Sequence, residues 1–284
     1  MTPRSPISPT RGGTLLALAA LLAALSLLAG LASDPEAASA KSGKRTVLGK
    51  TKYEHEPNCG RKAAARDCTA EGKMTGYQVL QKGAKGRSFV VPYRKGKVVS
   101  WSIALSNPTR KEIEGIGRAQ TPFFNNVFGS PAKARISVLR QVQKKKKGPP
   151  RYKMVRQSPV QTLNRYFGRT VHFALAKPLN VIKGQVVALT IPTWAPAFWA
   201  PRACRASSQG GYVDPTGCAR AQREYTYRAS RAPDKCELGY DEDDGSRNEA
   251  LTKTRPQQKV GSVKRYGCYY AGYRLLYTAT VVAR

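Results

Sequence analysis

The sequence predicts an all-β protein with a single β-sandwich domain of jelly-roll-like form. Short apolar runs alternate with polar residues, Gly and Pro interrupt them often, and no long stretch has a helical period. Apolar residues make up 41% of the 284-residue chain, which suffices for a globular core and excludes a disordered or collagen-like chain. The formal net charge of +32 bears on partners and solubility rather than on the fold.

Residues 1–40 are predicted to be a secretory signal peptide. A positive start with Arg4 and Arg11 precedes a run rich in Leu and Ala at 14–32, and 38–40 (Ala-Ser-Ala) has the pattern of a cleavage site. The alternative is an uncleaved membrane anchor, because the apolar run is just long enough to span a bilayer. We expect cleavage, and therefore a secreted or envelope-associated protein without a transmembrane segment.

All six cysteines follow the predicted cleavage site, and an even number in an exported chain predicts three disulfides. Sequence alone leaves the pairing open, and we favour the short loops. The favoured pairs are Cys59 with Cys68, Cys204 with Cys218, and Cys236 with Cys268. A zinc site is the alternative. It is disfavoured because the chain has no Cys-x-x-Cys pair and His55 is the only histidine near a cysteine. We expect no metal or other cofactor.

The mature chain is predicted to begin with a basic, extended lead-in, 41–75, followed by the sandwich domain, 76–284. In the domain, 88–93 and 97–105 read as strands. Val99, Trp101, Ile103 and Leu105 alternate with smaller residues in the second run. That period of two predicts that they share the core face.

A short helix is predicted in the long connection that follows. Its sequence signals are the start at Thr121-Pro122, the apolar residues Phe123, Phe124, Val127 and Phe128, and the stop at Gly129. We expect this helix to cover one end of a sheet.

The segments Ala134–Val142 and Arg151–Ser158 are predicted to form a β-hairpin with an exposed basic tip. Gln185–Ile191 is a continuous apolar run, which is typical of a central strand buried on both faces. The remaining predicted strands are 170–176, 223–229 and 266–282, the last of them bent near Gly272.

Several runs are similar to those of an uncharacterised family of secreted bacterial β-sandwich proteins with no established activity. The runs are 123–126 (FFNN), 134–140 (ARISVLR), 183–189 (KGQVVAL), 192–198 (PTWAPAF) and 274–280 (RLLYTAT). The resemblance spans residues 77–284. It implies one sandwich domain behind a signal peptide, and it assigns no catalytic residue.

The basic hairpin tip is the strongest candidate site. Its charged residues are Lys144, Lys145, Lys146 and Lys147, flanked by Arg140 and Arg151. Outside the cell the available polyanions are anionic envelope polymers, lipid headgroups and released DNA. Binding to them would be electrostatic and would not recognise a specific nucleic acid. The alternative is that the lysines only confer solubility.

Other candidates are weaker, and we expect no enzyme activity. A secreted polysaccharide hydrolase would need two facing carboxylates or a histidine-centred constellation. Glu112 and Glu114 read as surface residues paired with Lys111 and Arg118. We expect His172 to be an ordinary strand histidine and His55 to be solvated.

Two binding alternatives remain from the sequence. Trp194, Phe198 and Trp199 would form a sugar-binding platform if at least two of the rings were exposed on one flat face. The acidic segment 241–245 suggests calcium, but its spacing fails the EF-hand pattern. A solvated acidic loop is therefore the favoured interpretation of that segment.

Overall fold

A computed structural model describes residues 43–51, 54–59, 70–81, 88–114, 124–142, 148–201, 215–233, 236 and 254–284. They belong to one compact unit, Gly43–Arg284. The predicted signal peptide, the tip lysines 144–147 and the acidic segment 241–245 lie outside the described residues. Within those ranges, the helices are all too short to cross a membrane.

Strands predominate, and every strand pairing among the described residues is antiparallel. The strands are β1 (Arg45–Leu48), β2 (Glu71–Gln81), β3 (Lys95–Ala104), β4 (Lys133–Gln141), β5 (Arg151–Gln157), β6 (Gln161–Thr162), β7 (Thr170–Ile182), β8 (Val186–Ala195), β9 (Phe198–Trp199), β10 (Tyr225–Ala229), β11 (Val263–Arg265), β12 (Cys268–Ala271), β13 (Arg274–Leu275) and β14 (Tyr277–Ala283). The helices are α1 (Arg110–Glu114), α2 (Phe124–Phe128) and α3 (Pro215–Glu224).

The strands form a small sheet, a large sheet and a two-stranded ribbon. The small sheet has the order β1-β14-β3-β7 and the large sheet the order β11-β5-β4-β8-β2-β10-β12, with β6 paired to β4. The ribbon consists of β9 and β13.

The large sheet is strongly curled. Its outermost strands, β11 and β12, are separated in the chain only by Tyr266 and Gly267. The hydroxyl oxygens of Tyr77 in β2 and Tyr152 in β5 lie 2.8 Å apart, although β8 and β4 stand between these strands in the sheet. Such contact requires the sheet to bend until its concave side brings the two rings together.

Strand β8 is the centre of the large sheet, as its apolar run predicts. Val186–Ile191 are all buried, and β8 pairs with β4 on one side and β2 on the other. Since neither face meets water, no polar alternation is required. The prediction of a central strand at 185–191 is confirmed, as is the antiparallel hairpin of β4 and β5.

Helix α2 confirms the predicted short helix. It buries Phe124, Val127 and Phe128, and the Asn125 side-chain oxygen accepts a hydrogen bond of 3.0 Å from the indole N–H of Trp194 in β8. Gly129 ends the helix with φ of +89°, while its N–H bonds the Asn125 carbonyl at 2.8 Å. A positive φ favours glycine, which explains the stop signal.

The phase of β3 differs from the prediction. Val98 is fully buried and Val99 only partly, so the placement of Val99 on the core face is wrong. The pairing of β3 shifts register between Val98 and Ser100, where a bulge inserts one extra residue. A bulge reverses the side-chain alternation on either side of it. Trp101 and Ile103 are buried as expected.

Three other strand predictions need correction. Residues 88–93 make only an isolated bridge, between Val90 and Val186. The predicted strand 223–229 begins with the end of α3. The predicted strand 266–282 is three strands, β12, β13 and β14, each in a different sheet. Gly272, with φ of +88°, allows the turn after the first of them.

The segment predicted as an extended lead-in contributes strands to the fold. Strand β1 pairs with β14 from Arg45 opposite Val282 to Leu48 opposite Ala279. Strand β2 begins at Glu71, so the predicted domain boundary after residue 75 falls inside a strand.

The disulfide between Cys236 and Cys268 confirms one predicted pair, with the Cα atoms 5.0 Å apart. Cys59 and Cys218 are also disulfide-bonded. Cys68 and Cys204 lie outside the described residues, so the other two pairs stay predictions.

A candidate cationic surface

At the edge of the large sheet there are two pairs of cations, and the two members of each pair lie opposite each other on adjacent strands. Arg151 in β5 lies directly opposite Arg265 in β11, and Lys153 in β5 lies directly opposite Arg140 in β4. Directly opposed residues of antiparallel strands project from the same face, and so do residues two apart in one strand. The four cationic side chains therefore share one face.

A fifth cation joins them through a bulge in β5. Arg156 in β5 lies opposite Val138 in β4, and Val138 is two residues from Arg140, so Arg156 is on the face of Arg140. The register of the two strands shifts between this pair and the next one, Leu139 with Met154. Together these residues form the cationic face, which we define as Arg140, Arg151, Lys153, Arg156 and Arg265.

The cationic face points away from the concave side of the sheet. Tyr152 and Met154 alternate with Arg151 and Lys153 along β5, and they are 5% and 0% exposed. The four arginines of the face are exposed, whereas Lys153 is partly buried. One side of β5 thus fills the core while the other presents charge to solvent.

The opposed pairs have unfavourable electrostatics in the free protein. Like charges directly opposite each other in a sheet are destabilising. In the described part of the chain, no carboxylate lies within 4.0 Å of a cation of this face; the ion pairs there involve Arg110, Arg220 and Arg231. Among the described residues, the positive charge of this face therefore has no acidic partner.

The sequence identified part of this surface. Arg140 and Arg151 lie where predicted, at the two strand ends that flank 143–147, but the tip lysines are outside the described residues. Arg156 and Lys153 were missed, and Arg265 was not assigned to this surface. The alternation of Arg151 and Lys153 could have placed them on one face, whereas the three-residue β11 gives no sequence signal.

His55 is not simply solvated, contrary to the prediction. Its ring stacks on Trp199 with centroids 3.9 Å apart and meets the ring of Tyr225 edge-on at 4.9 Å. Burial, with a smaller effect from the positive charge of Arg274, lowers the pKa of His55 to about 4; Glu224 opposes this shift. His55 is therefore neutral near pH 7. His172 is an exposed residue of β7.

The two glutamates of α1 have different roles. Glu112 is buried, and the Thr109 backbone N–H donates to its carboxylate, while the Glu112 N–H donates to the Thr109 hydroxyl at 3.3 Å. This is a capping box, so surface pairing was the wrong interpretation for Glu112. Glu114 makes an ion pair of 2.8 Å with Arg110, whereas Arg118 lies outside the described residues.

The proposed aromatic platform does not have the exposure that it requires. Trp194 is fully buried and Phe198 is 7% exposed, so at most Trp199 could meet a sugar. Trp199 itself stacks on His55. Because these rings close the core, they do not form a flat stacking surface.

A fully buried ion pair lies elsewhere in the large sheet. Arg231 bonds the Glu71 carboxylate at 3.2 Å, the Gly72 carbonyl at 2.8 Å and the Tyr270 hydroxyl at 2.9 Å. The Tyr227 hydroxyl donates to the other oxygen of Glu71. Burial, together with the negative charge of Glu71, raises the pKa of Tyr227 well above its ordinary value. This network joins strands in the core, and its two charged groups, Glu71 and Arg231, are buried.

In the ranges that the structure covers, no three His, Cys, Asp or Glu side chains are grouped so that they could hold a metal ion. Comparison with known proteins gives no match to a family model, to a curated protein or to a solved structure. The resemblance to a secreted bacterial family therefore stays a prediction.

Proposed function

We propose that this chain is a secreted, non-enzymatic protein that associates with anionic polymers or surfaces of the cell envelope through the cationic face. The observation that carries the proposal is the opposition of Arg151 to Arg265 and of Lys153 to Arg140 with no acidic partner among the described residues. A bound anion would replace like-charge repulsion with attraction. The net charge of +32 would add long-range steering toward polyanions.

The fold part of this proposal is a single β-sandwich made from the two sheets. Contacts between them support it. The Tyr277 hydroxyl of β14, in the small sheet, donates to the Val187 carbonyl of β8, in the large sheet, at 3.0 Å. The Tyr277 ring also stacks on Phe89 with centroids 4.1 Å apart. Tyr277 is 2% exposed, so the two sheets share buried packing at this point.

Retention on immobilised heparin tests the proposed function. We expect the triple variant Arg140→Gln, Arg151→Gln, Lys153→Gln to elute at a clearly lower salt concentration than the wild type, because about three ionic contacts are lost. The matched control removes three exposed cations of the small sheet, by Arg45→Gln, Lys95→Gln and Lys177→Gln.

A specific surface predicts that the control elutes close to the wild type. Equal losses in the two triple variants would show that only net charge matters, and would contradict a defined face. A third variant, in which Lys144, Lys145, Lys146 and Lys147 are all replaced by Gln, measures the predicted contribution of the hairpin tip. Unchanged retention in this variant would remove the tip from the site.

A further inference from the structure

The two opposed cation pairs have a spacing that is set by β5. Arg151 and Lys153 are two residues apart in that strand, which corresponds to about 7 Å along an antiparallel strand. Arg265 completes the first pair from β11, and Arg140 completes the second from β4. Within each pair the Cβ atoms of directly opposed residues lie about 5 Å apart.

We propose that these pairs are two successive phosphate clamps, so that the anionic polymer is a phosphodiester chain that crosses β5 obliquely, from the β11 side to the β4 side. This inference rests on the proposed function, and it names the ligand chemistry and the direction of binding. The first clamp is Arg151 with Arg265, and the second is Lys153 with Arg140. In an extended phosphodiester chain, the distance between neighbouring phosphorus atoms is comparable to the distance between the two clamps.

The geometry of each clamp favours phosphate over carboxylate. A planar carboxylate presents both oxygens to one guanidinium in a fork-to-fork pair. The two non-bridging oxygens of a phosphodiester diverge from a tetrahedral phosphorus, so each can accept hydrogen bonds from a cation on a different strand. One bridging phosphodiester group, with its single negative charge, could thus contact two like charges on adjacent strands and offset the repulsion between them.

The surroundings indicate that the polymer backbone alone is recognised. On β4, β5 and β11 the exposed large apolar side chain is Val263, which is 39% exposed and lies opposite Lys153. The tyrosines of this region, Tyr152 and Tyr266, are buried on the concave side. No exposed ring of these three strands is available to stack on a base or a sugar.

Fluorescence anisotropy with purified full-length protein tests the clamps. The probes are a labelled oligo(dT), a glycerol phosphate oligomer and an oligoglutamate, all with the same number of charges. The variants are Arg151→Gln with Arg265→Gln, and Lys153→Gln with Arg140→Gln. The matched control is Lys95→Gln with Lys177→Gln, two exposed cations of the small sheet.

Each clamp variant should weaken binding of the two phosphodiester probes about tenfold, the loss typical of a charge-assisted hydrogen-bonded contact. It should also lower the slope of log K against log salt by about one. The control pair should change neither quantity appreciably. Arg265→Lys, which keeps the charge but removes the fork, should fall between the wild type and the double variant.

The outcomes separate the two proposals. If the wild-type protein binds none of the three probes, the proposed function is overturned. Binding that the clamp variants and the control weaken equally overturns the clamps and also contradicts a defined cationic face. Oligoglutamate that binds as tightly as the phosphodiesters, while the clamp variants weaken binding more than the control does, overturns the clamps and leaves the proposed function standing. Equal affinity for the two phosphodiester probes supports backbone recognition. Preference for one of them also supports the clamps and identifies the source of the polymer as nucleic acid or envelope polymer.

Discussion

Arg231, which lies just after β10, and Arg265, in β11, have opposite electrostatic surroundings. Arg231 is 4% exposed and its guanidinium meets the Glu71 carboxylate, a backbone carbonyl and a tyrosine hydroxyl. Arg265 is exposed and stands opposite another arginine, Arg151. A buried charge must be compensated for the chain to fold, whereas an exposed one can stay uncompensated. The comparison separates cations that stabilise the fold from cations available to a ligand.

The largest effect is expected at the buried pair. Glu71→Gln leaves the Arg231 charge uncompensated in the core, and we expect a loss of about 3–5 kcal/mol in the free energy of unfolding. Denaturant unfolding followed by circular dichroism measures it. The control is Glu114→Gln, which removes the exposed partner of Arg110 and should leave the midpoint unchanged.

A double variant tests whether this loss comes from the uncompensated charge of Arg231. Glu71→Leu combined with Arg231→Met removes both charges and should recover most of the stability lost in Glu71→Gln. If Glu71→Gln unfolds at the wild-type midpoint, the buried pair does not have the structural role described for it.

The disulfide near this network gives the next largest effect. Cys236 and Cys268 are separated by 32 positions, and the Tyr270 hydroxyl that bonds Arg231 also donates to the Cys236 carbonyl at 2.9 Å. Replacing both cysteines by serine should lower the free energy of unfolding by about 3–4 kcal/mol through the freed unfolded chain. Heparin retention of the folded variant should not change, because the cationic face lies on other strands. Loss of heparin retention without loss of stability would mean that the disulfide supports the cationic face and not the fold, and would contradict the comparison of the two regions.

His55 extends the comparison to a group that the fold keeps neutral. Its pKa is lowered to about 4 from an ordinary value near 6.5, so the folded state resists protonation that the unfolded state accepts. Its contribution to stability is present above about pH 6.5 and is lost as the pH falls toward 4. For a partly exposed ring we expect a loss on the order of 1 kcal/mol over this range, after solvent screening.

Unfolding midpoints between pH 4 and 7 measure this loss. His55→Gln should flatten the profile over that interval. His172→Gln, at an exposed position of β7, should keep the wild-type profile. A profile that is equally steep in wild type and His55→Gln would show that another group carries the pH dependence.

The smallest effect concerns the opposed arginines themselves. Arg265→Gln relieves like-charge repulsion, so it should raise the free energy of unfolding by a few tenths of a kcal/mol at low salt and without polyanion. The gain should disappear in high salt, where exposed charges are screened. Destabilisation at low salt would mean that the two side chains do not repel each other.

The parts of the fold that depend on local sequence were predictable. The apolar run 185–191 has no polar alternation, which already indicated a strand with neighbours on both sides. The hairpin of β4 and β5 followed from two patterned runs with a polar segment between them. In α2, Gly129 marked the helix end because its φ is positive.

The parts that depend on register were not predictable. The bulge at Val99 is invisible in the sequence, since Val98 and Val99 are equally apolar. The division of 266–282 among three sheets is set by long-range pairing. The cationic face has the same origin, because Arg265 meets Arg151 only through a pairing between segments more than a hundred residues apart in the chain.

NMR signals of individual arginines test most directly whether an anionic polymer binds at the cationic face. Side-chain Nε–H signals are recorded while a phosphodiester oligomer is added to the protein at low salt. We predict that the signals of Arg140, Arg151 and Arg265 move at the lowest oligomer concentrations and that the signal of Arg231 stays in place. Uniform movement of all exposed arginine signals, or earlier movement at the small sheet, would contradict a defined cationic face.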